Sequence, residues 1–158
     1  MSSTVEVLTA LQNSFLGQAI GQSNHLVGAT SQVFHILGFV SLLAAVIFIN
    51  LRLLGLALPN MPLKEVSRQA VKFIWIGFFF ASTSGFLMFL SAPTLYYANP
   101  AFLAKITLYT LAIVFQVLLY QRVVKLANPG KFLVWTNVLL SFFLWFGVSL
   151  TGRAIGYV

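Results

Sequence analysis

Gly28-Ala29-Thr30-Ser31-Gln32-Val33-Phe34-His35-Ile36-Leu37-Gly38 opens an apolar run that continues to Leu58, the longest in the chain, and carries one of its two histidines. At helical spacing Gly28, Ser31, His35, Gly38, Leu42 and Ala45 share a single stripe. Small residues surround the histidine there, so another helix or a flat ligand can approach the backbone closely. A run of this length reads as a membrane-spanning helix.

Composition supports a lipid-solvated protein. Of 158 residues, 59% are hydrophobic and 7% charged, and the mean hydropathy is +0.95. Soluble domains carry about 25% charged residues, so this chain cannot cover itself with a water-solvated surface. The net charge of +7 makes no continuous basic face, because the cations lie between apolar runs; nucleic acid is not an expected partner. With no cysteine in the sequence, disulfides, thiolate metal sites and cysteine nucleophiles are excluded. No basic segment precedes an apolar core at the N-terminus, so a cleaved signal peptide is not expected.

Four spans follow from the hydropathy, at about residues 26–49, 71–92, 101–120 and 132–151. Each is near the ~20 residues that cross ~30 Å of hydrocarbon. The links between them carry turn residues: Pro59-Asn60-Met61-Pro62, Ala92-Pro93, Asn99-Pro100 and Asn128-Pro129-Gly130. Unpaired amides are not tolerated in lipid, so the spans are helices, and short links make neighbours antiparallel. The expected fold is all-α: an integral membrane up-down-up-down four-helix bundle over residues 25–158, preceded by an N-terminal interfacial segment, 1–24. Within that segment Val5, Leu8, Leu11, Phe15, Ala19 and Ile20 recur at helical spacing while Glu6, Gln12, Asn13 and Gln18 face away, which predicts one short amphipathic helix on the membrane surface. Gly21 to Asn24 form a polar break.

Basic residues orient the bundle. Arg52, Lys64, Arg68, Lys72, Arg122, Lys125 and Lys131 belong to the first and third connections, whereas the opposite side has Lys105 and Arg153. The positive-inside rule places the two basic loops in the cytoplasm and both termini outside it, on the periplasmic or extracytoplasmic side of a bacterial inner membrane. Tyr96, Tyr97 and Tyr157 suit the outer interface.

Ionisable groups inside a membrane are costly and mark candidate sites. His35 lies about nine residues into the first span, or ~13 Å at ~1.5 Å per residue, near the midplane; His25 stands at the outer boundary. The imidazole is either packed and hydrogen-bonded to a neighbouring helix, a bond averaging ~0.6 kcal/mol in membrane proteins, or it is an axial metal ligand or proton-handling group. The other spans present matching faces: Gly77, Ala81, Ser84, Met88 and Ser91; Lys105, Tyr109, Ala112 and Gln116; Asn137, Ser141, Leu144 and Val148. By depth, Ser84 and Tyr109 level with His35, and Lys105 and Arg153 lie above. Lys105 can snorkel to the headgroups and Arg153 can anchor at the interface. The sequence has just two carboxylate side chains, Glu6 and Glu65, so two cations at one mouth of a cavity also suit an anionic ligand: lipid phosphate, carboxylate or haem propionate.

Several runs resemble a bacterial family of small four-span inner-membrane proteins. They are Phe34-His35-Ile36-Leu37-Gly38, Leu51-Arg52-Leu53-Leu54-Gly55, Gly85-Phe86-Leu87-Met88-Phe89, Asn99-Pro100-Ala101-Phe102-Leu103-Ala104-Lys105 and Gly152-Arg153-Ala154-Ile155-Gly156-Tyr157. That resemblance implies the four-span fold and carries no activity with it. A more distant likeness joins the chain to the membrane domain of copper-resistance protein D and to small cytochromes b. The chain departs from both, lacking Met-rich and His-rich segments and lacking histidines on separate helices.

Three readings of function stand open. In the first, His35 is the axial metal ligand of a haem b in an electron-transfer subunit, Gly28 and Gly38 admit the porphyrin, and Lys105 and Arg153 pair with propionates. His25 and His35 lie ~15 Å apart on one helix and cannot be its two axial ligands, so the haem would have one protein ligand, a ligand from a partner chain, or its second histidine across a homodimer axis. In the second, the chain is an accessory subunit of a larger membrane complex, its partners being other membrane subunits or further copies of itself. In the third, a quinone or lipid binder or small transporter uses the same cavity, a quinone needing only His35 and a hydroxyl such as Tyr109 or Ser84. Hydrolysis has no supporting constellation: no acid accompanies His35 in the bundle and no G-x-S-x-G turn exists.

Overall fold

The computed structural model describes residues 3–22, 25–126 and 129–158. Among them every regular element is helical: α1 (Ser3–Gln12), α2 (Phe15–Gly21), α3 (His25–Leu53), α4 (Leu63–Ser91), α5 (Pro93–Ala98), α6 (Pro100–Phe115), a π-helical segment (Gln116–Tyr120), α7 (Gln121–Lys125) and α8 (Lys131–Ala154). Four stretches are long and apolar enough to cross a membrane: Leu26–Leu53, Leu63–Ser91, Pro100–Leu118 and Lys131–Ala154. Large apolar side chains face outward, Phe79, Phe143 and Leu150 among them. In water such a surface would aggregate; in hydrocarbon it is solvated. The protein is a multi-pass helical membrane protein.

Local chemistry sets the helix ends. Gly55, at φ +76°, closes α3 in a Schellman turn: Leu56 N–H reaches Leu51 O at 2.8 Å and Gly55 N–H reaches Arg52 O at 3.0 Å. The Arg52 guanidinium then holds the following loop by donating to Met61 O at 2.6 Å. Helix α4 begins after Pro62, about two turns before the expected span, because Lys64, Glu65 and Arg68 extend it beyond the hydrocarbon at the basic end. At the other end Asn99 caps α6, its Oδ1 accepting from Phe102 N at 3.1 Å. Its Nδ2 donates to Ile155 O and Val158 O, both at 3.1 Å, tying the start of α6 to the end of the chain.

The core joins Leu42, Val46 and Ile49 of α3, Ala70 and Ile74 of α4, Ala112 and Phe115 of α6, and Leu144 and Trp145 of α8. Helix α3 packs chiefly along α4, and α6 along α8. The first pair is held by glycine on both sides: a Cβ on Gly77 would lie 2.5 Å from Gly38 O, and one on Gly38 would lie 2.7 Å from Ala81 N. Backbones approach this closely only where no side chain intervenes.

The N-terminal segment differs from the single surface helix expected over residues 5–20. The chain breaks at Asn13–Ser14, where Ser14 caps a second helix by accepting from Gly17 N at 3.2 Å. A Cβ on Gly17 would lie 2.5 Å from the Leu11 and Gln12 carbonyls, so glycine permits the two short helices to fold against each other. Gln12, expected to face water, instead accepts from Thr94 Oγ1 at 2.9 Å and fastens the hairpin to α5. The end of α1 and Val158 therefore both lie at the end of the bundle opposite the basic connections. The polar break at 21–24 falls partly outside the described residues, as does Asn128; His25 is the first residue of α3.

Candidate functional site

The Gly38–Gly77 contact brings His35, one turn away on α3, against the backbone of α4. Its Nδ1 stands 2.7 Å from Ala81 O. A carbonyl only accepts, so Nδ1 carries the proton and Nε2 presents a lone pair. Ser84 Oγ is 3.5 Å from Nδ1 and gives its own proton to Phe80 O at 2.5 Å. Gly85, one turn beyond Ala81, leaves the ring its place: a Cβ there would lie 2.9 Å from Cε1.

Lys105 of α6 completes the arrangement. Its Nζ is 3.2 Å from His35 Nε2, so it reaches across the bundle instead of snorkelling outward. Its stem passes over Gly152 of α8, where a Cβ would lie 3.4 Å from Cε and Nζ. Neither carboxylate of the sequence borders it: Glu6 is on α1 and Glu65 on the first turn of α4 at the basic end. The cation thus has an imidazole as its partner, with further N–H donors to spare.

One turn along α6, the Tyr109 hydroxyl bonds Ser82 Oγ at 2.7 Å. The Tyr109 ring stacks on Phe78, centroids 5.8 Å apart, and meets Trp145 edge-on at 6.1 Å. A cavity of about 430 Å³ lies between α4 and α6, lined by His35, Ser82, Gly85, Phe86, Lys105 and Tyr109 among others. Phe86 and Ile106 on its wall are also exposed on the outside of the bundle. A second cavity of about 460 Å³, called the outer cavity for its place at the end of the bundle opposite the basic loops, is lined by Gln32, His35, Met88, Lys105, Ser149 and Arg153 among others. His35 and Lys105 border both the lateral and the outer cavity. Each has the size of an ordinary small-molecule site.

Of the residues singled out from sequence, His35, Ser84 and Lys105 come together, and Tyr109 joins them across the lateral cavity. Arg153 stands at the outer cavity with its guanidinium 5.0 Å over the Tyr157 ring and donating to Tyr157 Oη at 2.7 Å. Gly28 has nothing within 4 Å of its Cβ position, the space beside Gly38 is filled by α4, and neither glycine lines the two cavities that His35 borders. The haem reading also needs Nε2 as its ligand atom, and Lys105 covers it. Among the described residues no three His, Cys, Asp or Glu side chains cluster as a metal site. Ser82, the Ala81 carbonyl and Gly152 join the site without being expected there; in the sequence, the small-residue spacing Ala81 to Gly85 signals a close contact at this point.

Fold and site together define a multi-pass helical membrane protein whose bundle holds a largely apolar cavity bordered by a lysine and a histidine. The chain belongs to a family of unknown function (DUF6644), whose model matches residues 8–158. No curated protein and no solved structure matches it, so the likeness to copper-resistance protein D and the small cytochromes b finds no support there.

Proposed function

We propose that this protein binds a membrane-soluble small molecule bearing a hydrogen-bond-accepting carbonyl, of the quinone class, in the lateral cavity between α4 and α6. The observation that carries this reading is the Lys105–His35 pair: an ammonium held by an imidazole, without a carboxylate, at the wall of a cavity whose other residues are largely apolar and aromatic. Two of the three Nζ–H groups remain for a ligand carbonyl, and low-dielectric surroundings strengthen such a bond. Phe86, Phe89, Phe102 and Tyr109 provide ring faces for a planar head. The chain sits in the bacterial cytoplasmic membrane with its basic loops inside, and it works as a binding subunit beside other membrane proteins.

Titration of the nanodisc-embedded protein with a short-chain quinone, read by quenching of tryptophan fluorescence, tests the reading. Saturable binding is expected, with Lys105→Met weakening it about tenfold or more, the loss of a hydrogen bond from a charged donor worth ~1.5–3 kcal/mol. Absence of saturable quenching in the wild type sinks it. A second reading, an anionic lipid headgroup in the outer cavity, is favoured by Lys105 and Arg153 both bordering that space. It calls for Arg153→Gln to weaken binding of anionic lipid while quinone quenching persists.

A further inference from the structure

A second polar cluster lies deeper in the bundle, toward the basic end. Asn137, Ser141 and Trp145 stand one turn apart on the buried face of α8. Asn50 of α3 reaches this face and donates from Nδ2 to Ser141 Oγ at 3.0 Å. Gln116, first residue of the π-helical segment, shares with Trp145 the wall of a cavity of about 10 Å³, close to the least space that holds one water. These side chains are inaccessible: Gln116 is 4% exposed, Trp145 1% and Asn50 0%. Yet five of their polar atoms have no protein partner: Asn50 Oδ1, both Gln116 amide atoms, Asn137 Nδ2 and Trp145 Nε1.

Dry packing does not account for that pattern. Buried polar atoms in native proteins are bonded to protein or to ordered water, and hydrocarbon outside the bundle offers neither. Donors and acceptors are mixed and no carboxylate is among them, so a metal cation is a poor match. Water, which both donates and accepts, suits all five atoms. The π-helical turn is consistent with this, since the added residue changes which side chains of the third span face inward.

We propose that Gln116, Trp145, Asn50, Ser141 and Asn137 bind buried water in the half of the bundle toward the basic end, the cavity walled by Gln116 and Trp145 holding one such molecule. This hydrated cluster ends at Trp145, whose ring abuts Tyr109 of the lateral cavity. Hydration of the inner half stands independently of any ligand.

The Trp145 indole N–H reports on this directly. In ¹⁵N-indole spectra of the nanodisc-embedded protein, assigned with Trp75→Phe and Trp135→Phe, the Trp145 Nε1–H is expected to show cross-relaxation with water and to exchange into D2O within minutes despite its burial. Gln116→Met, near in volume, and Asn137→Leu are each expected to slow that exchange at least tenfold; a melting temperature at or above wild type shows that the fold is kept. Lys105→Met, which removes the quinone donor, is expected to leave the exchange unchanged, so the two proposals fail separately. A Trp145 N–H protected for hours without a water cross-peak overturns the inference. So does exchange that Gln116→Met does not alter, or exchange slowed by Lys105→Met but not by Asn137→Leu, which would bring the water from the outer side.

Discussion

Gly85 and His35 stand edge to edge, with the missing glycine side chain pointing 2.9 Å from Cε1 and 3.1 Å from Nδ1 of the imidazole. The ring is thereby held between a bare backbone and the Lys105 ammonium. Gly85→Ala must push the ring and stretch its bond to Ala81 O. Overpacking of this kind costs about 1–3 kcal/mol. The expected result is a lower melting temperature in detergent with weaker quinone quenching; an unchanged pair of values would show that the ring moves freely.

Gly77 and Gly28 should respond in opposite ways to the same substitution. On Gly77 a methyl would meet Gly38 O at 2.5 Å and Leu42 N at 2.7 Å, backbone atoms that yield only if α3 and α4 separate. Gly77→Ala is expected to destabilise the bundle by about 1–3 kcal/mol. Gly28 faces open space, and Gly28→Ala is expected to be neutral or to gain up to ~1 kcal/mol from helix propensity. Thermal unfolding of the two variants side by side measures this.

Nε2 of His35 is engaged by Lys105 Nζ at 3.2 Å, so haem ligation requires the lysine to withdraw. Protein purified after expression with ample haem is expected to show no Soret band. A Soret band lost in His35→Ala would restore the haem reading and displace the quinone one.

Because the chain contains no cysteine, single cysteines report topology without background. Tyr97→Cys on α5 should react with a membrane-impermeant maleimide on spheroplasts. Arg68→Cys, near the start of α4, should react only after the membrane is opened. The reverse pattern would invert the bundle.

The spans and their inward faces were legible in the sequence because lipid imposes a single rule, continuous apolarity broken by small or polar residues where helices meet. Ala81 and Ser84, Ala112 and Gln116, Asn137, Ser141, Leu144 and Val148 are all buried as the periodicity implied. Pairings across helices were less accessible. Depth counted along separate helices placed Lys105 above His35, but a four-carbon stem spans that difference, and whether it turns inward depends on Gly152, on another helix. Likewise Tyr109 bonds Ser82 and not Ser84, a choice set by helix rotation, which composition does not encode. The π-helical turn at Gln116 and the break at Ser14 are local departures from a regular period, and a periodicity argument smooths over both.

The α3–α4 and α6–α8 pairs each keep their closest packing within themselves, and the proposed ligand cavity runs along the seam where they meet. Each hairpin can therefore enter the bilayer as a self-contained insertion unit. A gene severed in the segment encoding residues 92–99 would yield two halves able to find one another in the membrane by shape. The seam is also where the two pairs share the least packing, so a guest lodged there leaves the α3–α4 and α6–α8 contacts in place.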